Sequence, residues 1–167
     1  MASFRLTKAR RATEIAAVAA LFREYADWLG IDLSFQGFEA ELRDLPGKYA
    51  PPDGELLLAC SAVGDALGCV ALRPLDGMAV CEMKRLYVRP AARGLGVGRA
   101  LVIAIIRSAQ ELGYAEMRLD TLPTMAEALG LYQRLGFTEI PAYYHNPVLG
   151  TRYLGKPLSP TSTSRPS

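Results

Sequence analysis

The chain has 167 residues, of which 50% are hydrophobic and 22% charged, and its formal net charge is +2. This length fits one domain with a single sizeable core, and the near balance of charge gives no reason to expect a nucleic-acid partner. No apolar run approaches the ~18 residues that a membrane span needs, so we expect no membrane partner. Three cysteines without a Cys-x-x-Cys pair and a single histidine favour a reducing, cytoplasmic location and no metal site.

The N-terminal part is predicted to be mainly helical. After a short strand from Phe4 to Leu6, an amphipathic helix begins with Thr13 as its cap and ends at Gly30. A second helical piece covers about Phe35 to Leu45. The segment 31–60 carries six acids and two bases, which we interpret as solvated surface in preference to a site for a cationic ligand.

Three strands connected as a meander are predicted next. They cover Glu55 to Val63, Leu67 to Leu75 and Val80 to Val88. The dipeptides Gly64-Asp65 and Asp76-Gly77 provide the turns between them. A two-residue turn at Gly64-Asp65 places Cys60 opposite Cys69. We interpret these cysteines as two small buried side chains in preference to a redox pair.

A glycine-rich loop follows the meander, and a helix and a strand follow the loop. The loop is Arg93-Gly94-Leu95-Gly96-Val97-Gly98, the helix is the apolar run Leu101 to Leu112, and the strand is Ala115 to Thr121. The two strands that flank this helix should be parallel, with a right-handed connection. The glycines allow a tight turn, and the unpaired amides and dipole of the helix start suit an anion such as phosphate. Five bases and no acid lie between Lys84 and Arg99, which agrees with an anionic ligand.

The last third of the chain is predicted to be a short helix, two strands and a tail. The helix has one apolar side, formed by Met125, Ala128, Leu129, Tyr132 and Leu135. Gly136 ends it, a strand covers Phe137 to Tyr143, a loop covers Tyr143 to Pro147, and a last strand covers Thr151 to Leu154. Residues 158–167, rich in Pro, Ser and Thr, are predicted to be a disordered tail, so the single domain covers residues 1–157.

Two common phosphate-binding motifs do not fit the glycine loop. A Walker A loop ends in Gly-Lys-Ser or Gly-Lys-Thr, whereas Gly98 is followed by Arg99-Ala100. A Rossmann fingerprint needs a glycine where this chain has Arg99, and it follows a first strand instead of a meander. An unrelated nucleotide-binding protein is therefore disfavoured.

The combined pattern resembles the GNAT superfamily of N-acetyltransferases. Arg93, Gly96 and Gly98 match that family's loop pattern of Arg or Gln, two residues, Gly, one residue, and Gly or Ala. The stretch Lys84 to Pro90 resembles its fourth strand. The stretch Ala128 to Phe137 resembles its Ala-x-x-x-Tyr-x-x-x-Gly-Phe segment.

This resemblance covers roughly residues 55–153 and implies both a fold and a cofactor. The fold is α/β (α+β): a mixed, mostly antiparallel sheet of six to seven strands, flanked by about four helices, with a splay between the fourth and fifth strands. The cofactor is acetyl-CoA, with its pyrophosphate on the loop amides and its pantetheine arm beside the fourth strand, like an added strand. The residues that the resemblance assigns to acetyl-CoA are Leu86, Tyr87, Val88, Arg93, Gly94, Leu95, Gly96, Val97, Gly98 and Arg99.

Amine acetylation needs a base for the amine, a donor for the oxyanion and an acid for the leaving thiolate. The resemblance implies Tyr132 as the acid and the backbone N–H of Leu86 as the oxyanion donor. Met125 stands where the family often has Asn, so no amide hydrogen bond to the cofactor is expected from this position.

The resemblance also implies Glu82 as the base. A structural salt bridge between Glu82 and Lys84 is an equal alternative, and Asp120 is a second choice for the base. Period-two alternation of the strand predicts one shared face for Glu82, Lys84, Leu86 and Val88.

We therefore expect an N-acetyltransferase that moves an acetyl group from acetyl-CoA to a primary amine of a small molecule or peptide by direct attack. A non-catalytic acetyl-CoA sensor of the same fold is the alternative. The acceptor pocket is expected near the first two helices, residues 48–52 and the Tyr143 to Pro147 loop. Its candidate lining residues are Tyr25, Trp28, Tyr143, Tyr144 and His145. A homodimer is left open.

Overall fold

The computed structural model describes residues 3–75 and 79–159, apart from the side chain of Phe35. In this part of the chain the strands are β1 (Phe4–Lys8), β2 (Glu55–Ser61), β3 (Ala66–Pro74), β4 (Val80–Val88), β5 (Glu116–Thr121), β6 (Thr138–Glu139) and β7 (Arg152–Pro157). The α-helices are α1 (Ala12–Leu29), α2 (Phe38–Asp44), α3 (Val97–Glu111) and α4 (Ala126–Arg134). Short 3₁₀ turns cover Ser34–Gln36, Gly47–Tyr49 and Pro90–Ala92.

One seven-stranded sheet, in the order β1-β2-β3-β4-β5-β7-β6, organises these elements. The neighbouring strands are antiparallel except for β4 and β5, which run parallel. The parallel pairing begins at Val80 with Glu116 and ends at Glu82 with Arg118, after which the two strands diverge. The predicted fold, including the splay between the fourth and fifth strands, is confirmed.

Helices cover both faces of the sheet. On one face α3 and α4 pack on a core that includes Leu101, Ile105 and Phe137. On the other face α1 and α2 pack on a second core that includes Phe22 and Tyr49. Strands buried on two faces read as continuous apolar runs, and β2 is such a strand.

The N-terminal elements differ in detail from the predictions. Helix α1 begins at Ala12, and the Glu14 carboxylate accepts hydrogen bonds from the backbone N–H groups of Arg10 and Arg11. Thr13 therefore lies in the first turn and is not the cap. The second helical piece is interrupted at Gly37, whose φ of +69° ends the 3₁₀ turn before α2 begins.

The predicted register between β2 and β3 is wrong. Ser61 N–H donates to the Asp65 carbonyl, so the connection is longer than a two-residue turn, and a register shift follows Ala59. Cys60 consequently pairs with Ala66, and Cys69 pairs with Leu58. All three cysteines are free and buried, which confirms their interpretation as small core side chains. The predicted turn at Asp76-Gly77 lies outside the described residues.

The C-terminal strands also differ in length from the predictions. The strand expected over Phe137 to Tyr143 is limited to Thr138–Glu139, while the last strand extends over Arg152–Pro157. Leu158 is buried and its N–H donates to the Ala115 carbonyl, so the packed chain reaches one residue beyond the expected domain boundary. Residues 160–167 of the predicted tail lie outside the described residues. Within the described residues, no helix has the length and apolar character to span a bilayer.

Candidate active site

A bulge in β4 shapes the open edge at the splay. Ala71 pairs with Lys84 and Cys69 pairs with Tyr87, so Arg85 and Leu86 together stand opposite Val70. Arg85 adopts a φ of +62°, which few non-glycine residues adopt. Among the described strands, neither β3 nor β5 pairs with Leu86, so the bulge lies where the backbone is open to a ligand.

The bulge also changes which side chains share a face, and the predicted shared face is wrong. Leu86 and Val88 pack against the α3 core, as Met83 does. Tyr87 belongs to the core beneath α1. Glu82 forms a hydrogen bond with Arg73, which is not part of the α3 core. The extra residue shifts the alternation by one position, so Glu82 and Leu86 lie on opposite faces.

The glycine loop leads directly into α3. Gly94 and Gly96 both have a φ of +83°, and Gly96 is the N-cap of the helix. Gly98 is not part of the loop but of the first helical turn, where an added Cβ would lie 3.6 Å from Val88 Cγ2. The unpaired amides at this helix start are therefore held next to the end of β4.

Arg93 holds the loop against its neighbours. Its Nε donates to the Val88 carbonyl at 3.1 Å, and its guanidinium lies 4.9 Å from the centre of the Trp28 ring. The side chain is exposed and remains close to the cleft that the loop borders. A cation at this position favours an anionic ligand.

A cleft of about 720 Å³, called here the loop cleft, lies between the glycine loop, the end of β4 and the start of α4. It is lined by nine of the residues assigned to acetyl-CoA: Leu86, Tyr87, Val88, Arg93, Gly94, Gly96, Val97, Gly98 and Arg99. Leu95, the remaining one, is 44% exposed and lies outside the lining. Thr124 and Met125 complete the wall contributed by the start of α4.

A smaller and more enclosed cavity of about 40 Å³, called here the inner pocket, lies between the diverging strands. Its walls come from β4, β5, α1 and residues 31–36. Leu86 and Met125 line both the inner pocket and the loop cleft. Ligands in the two cavities would therefore meet beside the β4 bulge.

Asp120 on β5 lines the inner pocket. Its Oδ2 accepts hydrogen bonds from the Tyr144 hydroxyl and, at 3.0 Å, from Asn146 Nδ2. Among the described residues its Oδ1 has no hydrogen-bond partner. The Tyr153 hydroxyl donates to the Tyr144 carbonyl at 2.8 Å and accepts from the Asn146 N–H, which holds the loop in place. Sequence reasoning missed Asn146 and Tyr153, because only the pairing of β7 with β5 brings them beside Asp120.

Glu82 is 2% exposed and lines neither cavity. Its Oε2 accepts from the Tyr143 hydroxyl at 2.6 Å and its Oε1 from Arg73 Nη1 at 3.1 Å. Lys84 Nζ is farther away, at 3.9 Å from Oε1. Glu82 therefore forms a structural salt bridge, as the alternative interpretation expected, but its main partner is Arg73 and not Lys84. The role of Glu82 as base stays a prediction.

Tyr132 on α4 lines the inner pocket and is 4% exposed. Its ring packs edge-on against Phe137, with 5.8 Å between the ring centres. Burial raises the pKa of Tyr132 well above the usual range of a phenol, so the hydroxyl keeps its proton. Among the described residues this hydroxyl has no hydrogen-bond partner.

The acidic side chains of the segment 31–60 line neither cavity. Glu41 accepts from Arg85 at 2.9 and 3.1 Å and lies 3.3 Å from Lys48 Nζ. Burial opposes ionisation of Glu41, but the hydrogen bonds and charge of Arg85 outweigh it and lower the pKa of this carboxyl. Glu39 and Asp44 are exposed, which confirms the interpretation of these two acids as solvated surface.

The aromatic candidates for the acceptor pocket separate into three groups. Tyr25 lines the inner pocket, and Trp28 lines the loop cleft. Tyr143 and Tyr144 lie behind the inner pocket, where they bond to Glu82 and Asp120. His145 is exposed and lines neither cavity. Within the described residues, no group of three or more His, Cys, Asp or Glu side chains converges as a metal site would require.

A helix start suited to an anion, beside two diverging strands and with a second pocket meeting it, is the arrangement of an acyl-group transferase. The Acetyltransferase (GNAT) family model matches residues 16–137, and the chain belongs to this family. An uncharacterized N-acetyltransferase of Schizosaccharomyces pombe is 47% identical, over 83% of this chain and 85% of that protein. Another uncharacterized N-acetyltransferase, from Dictyostelium discoideum, is 33% identical, over 78% of this chain and 88% of that protein.

A solved structure shows the same fold. The crystal structure of a GNAT-family acetyltransferase from Staphylococcus aureus superposes with a TM-score of 0.77 at 20% identity, covering 94% of this chain and all of that one. The family model and the two relatives, together with this fold, make the protein an acetyltransferase of the GNAT family, and an N-acetyltransferase acts on an acceptor that carries an amine.

Proposed function

We propose that the protein transfers the acetyl group of acetyl-CoA to a primary amine by direct attack, with a small molecule or peptide as acceptor. The meeting of the loop cleft and the inner pocket at Leu86 and Met125 is the observation that carries this proposal. Direct transfer needs donor and acceptor in adjoining sites with the reacting atoms in contact.

Acetyl-CoA fits the loop cleft by charge and by hydrogen bonding. Its pyrophosphate would lie on the amides from Arg93 to Arg99, where the start of α3 and the two arginines favour negative charge. Its pantetheine amides would pair with β4 near Leu86 to Val88, which β5 leaves open. Met125 contributes a thioether to the wall in place of an amide, so hydrogen bonds from the start of α4 would come from Thr124.

Two residues that line the inner pocket account for the proton transfers of the reaction. Asp120 Oδ1 takes one proton from the ammonium, and the freed nitrogen lone pair attacks the acetyl carbon. The Leu86 N–H donates to the oxyanion, and the C–S bond then breaks. Tyr132 protonates the thiolate and recovers a proton from the new amide nitrogen, so the net reaction releases one proton.

Ligand-dependent stability provides the first test. Acetyl-CoA and CoA should each raise the Tm in a thermal-shift measurement, because a ligand that binds only the folded state stabilises it. ATP and NAD should produce smaller shifts, since neither carries a pantetheine arm to pair with β4. Stabilisation by ATP or NAD without any by the two CoA species would contradict the proposal.

Replacing each candidate base, Asp120 or Glu82, by the corresponding amide residue distinguishes their roles. Asp120→Asn should lower kcat by about 100-fold with little change in acetyl-CoA affinity, because a general base contributes about that factor. Glu82→Gln should chiefly lower the Tm, since Arg73 loses a buried carboxylate partner. Steady-state kinetics and thermal unfolding of both variants provide the comparison. A larger loss of kcat in Glu82→Gln at an unchanged Tm would instead make Glu82 the base.

A further inference from the structure

A buried cation without a hydrogen-bond partner forms part of the inner pocket. The Lys84 side chain is 8% exposed, and among the described residues its Nζ donates no hydrogen bond. The nearest carboxylate oxygen, Glu82 Oε1, lies 3.9 Å away and is already bonded to Arg73 at 3.1 Å. A buried ammonium is costly unless it is paired and hydrogen-bonded.

The neighbouring arginines are already matched by carboxylates. Arg85 is held by Glu41 through two hydrogen bonds, and Arg73 is held by Glu82. Burial lowers the pKa of Lys84 although the negative charges of Glu82 and Asp120 oppose this shift, so the folded protein itself leaves this charge incompletely stabilised. An anion from outside the protein would complete the pairing.

The remaining polar groups of the inner pocket complement a small polar molecule. Asp120 lines the pocket and its Oδ1 has no hydrogen-bond partner among the described residues, so this carboxylate suits an ammonium group. Thr121 and Gln36 line the pocket, and within the described part of the chain their buried Oγ1 and Oε1 atoms have no hydrogen-bond partner. Buried polar atoms in native proteins are normally paired, so these two atoms also mark a place for a ligand or water.

We propose that the acceptor is a small zwitterion, a primary amine that also carries a carboxylate, as an amino acid does. Its carboxylate pairs with Lys84 and its ammonium with Asp120. The inner pocket is small, about 40 Å³, and less open than the loop cleft, which favours a compact molecule over a peptide chain that needs an open groove. This inference rests on the proposed acetyl transfer and specifies the substrate class of the same site.

Matched acceptor pairs test the inference. Each of a set of α-, β- and γ-amino acids is compared with its own carboxamide, which keeps the amine and removes the negative charge. The kcat/KM of the acid should exceed that of the amide by about 10- to 100-fold, the factor expected for one charged hydrogen bond. Equal values, or a preference for carboxamides or for diamines, would overturn the inference.

Substitution of Lys84 tests whether this residue causes the preference for amino acids over their carboxamides. Lys84→Met should raise the KM for the amino acids by a similar factor and leave the KM for the carboxamides nearly unchanged. The preference for the acids should then disappear. Lys48→Met is the matched control, because Lys48 contacts Glu41 from outside both cavities, and it should keep the preference. An unchanged acid-to-amide ratio in Lys84→Met would overturn the inference, as would a loss of kcat for acids and amides alike, which would indicate a proton-transfer role for Lys84.

A binding measurement tests the zwitterion inference without requiring catalytic turnover. In the presence of CoA, amino acids should raise the Tm of the wild-type protein more than their carboxamides do, and equal shifts would overturn the inference. This comparison also serves if Lys84→Met does not fold. Failure of acetyl-CoA to bind at all would instead remove the proposed function, and the inference with it.

Discussion

Gly96→Glu is expected to abolish acetyl-CoA binding, with an affinity loss of more than about 100-fold, because like charges placed together at an interface cost several kcal/mol. Gly96 is the N-cap of α3 and lines the loop cleft, so the new carboxylate would occupy the place proposed for the pyrophosphate. The space around an added Cβ is open, so the effect should come from charge and bulk toward the ligand and from backbone strain at a φ of +83°. Isothermal titration with acetyl-CoA measures it.

Gly64→Glu separates strain from charge. Gly64 has a φ of +94°, an added Cβ there also meets open space, and the residue lies in the exposed β2–β3 connection. Both variants should lose a similar amount of stability, because both force a side chain into the left-handed region. Only Gly96→Glu should lose acetyl-CoA binding. Retained affinity in a folded Gly96→Glu protein would place the pyrophosphate somewhere other than the glycine loop.

Tyr132→Phe is expected to lower kcat by about 100-fold, the factor typical of a general acid, while the Kd for acetyl-CoA changes little. The side chain is buried, lines the inner pocket and has no hydrogen-bond partner among the described residues. Because burial raises its pKa, the phenol remains protonated at neutral and mildly alkaline pH. Loss of the Tyr132 proton should therefore not produce an alkaline decline of kcat in that pH range.

Tyr114→Phe is the matched control for this substitution. The Tyr114 hydroxyl donates to the Asp53 carbonyl at 2.7 Å and lines neither cavity. Its removal should lower the Tm slightly, as the loss of one hydrogen bond does, and leave kcat unchanged. Equal turnover by Tyr132→Phe and wild-type protein would exclude Tyr132 from the mechanism.

Much of the fold was predictable because its signals are local. The three glycines before an apolar helix predicted the helix start that now borders the loop cleft, and the Tyr132 spacing placed this residue on the short helix. The order of elements, together with the family resemblance, predicted the parallel β4–β5 pair and its splay. Element ends were less predictable, as the short strand at Thr138–Glu139 shows, because strand length depends on which neighbour is available for pairing.

The residues assigned to acetyl-CoA lie together in the structure, whereas those assigned to the acceptor do not. Nine of the ten residues assigned to acetyl-CoA line one cleft, because the loop and the strand that precedes it are contiguous in sequence. The bulge at Arg85 had no signal in the alternation of β4, and it moved Leu86 to the face opposite Glu82. Asn146 and Tyr153 were missed because only the pairing of β7 with β5 brings them beside Asp120.

By itself, the sequence indicated where an anion would be favoured, since helix amides and glycine conformations depend on neighbouring residues. Only the tertiary structure decided which charged and polar groups are paired. Glu41 lies 44 positions before Arg85, and Asp120 lies 26 positions before Asn146, so no local pattern relates the members of these pairs. The unmatched charge of Lys84, which specifies the acceptor in our proposal, becomes visible only after these distant partners are in place.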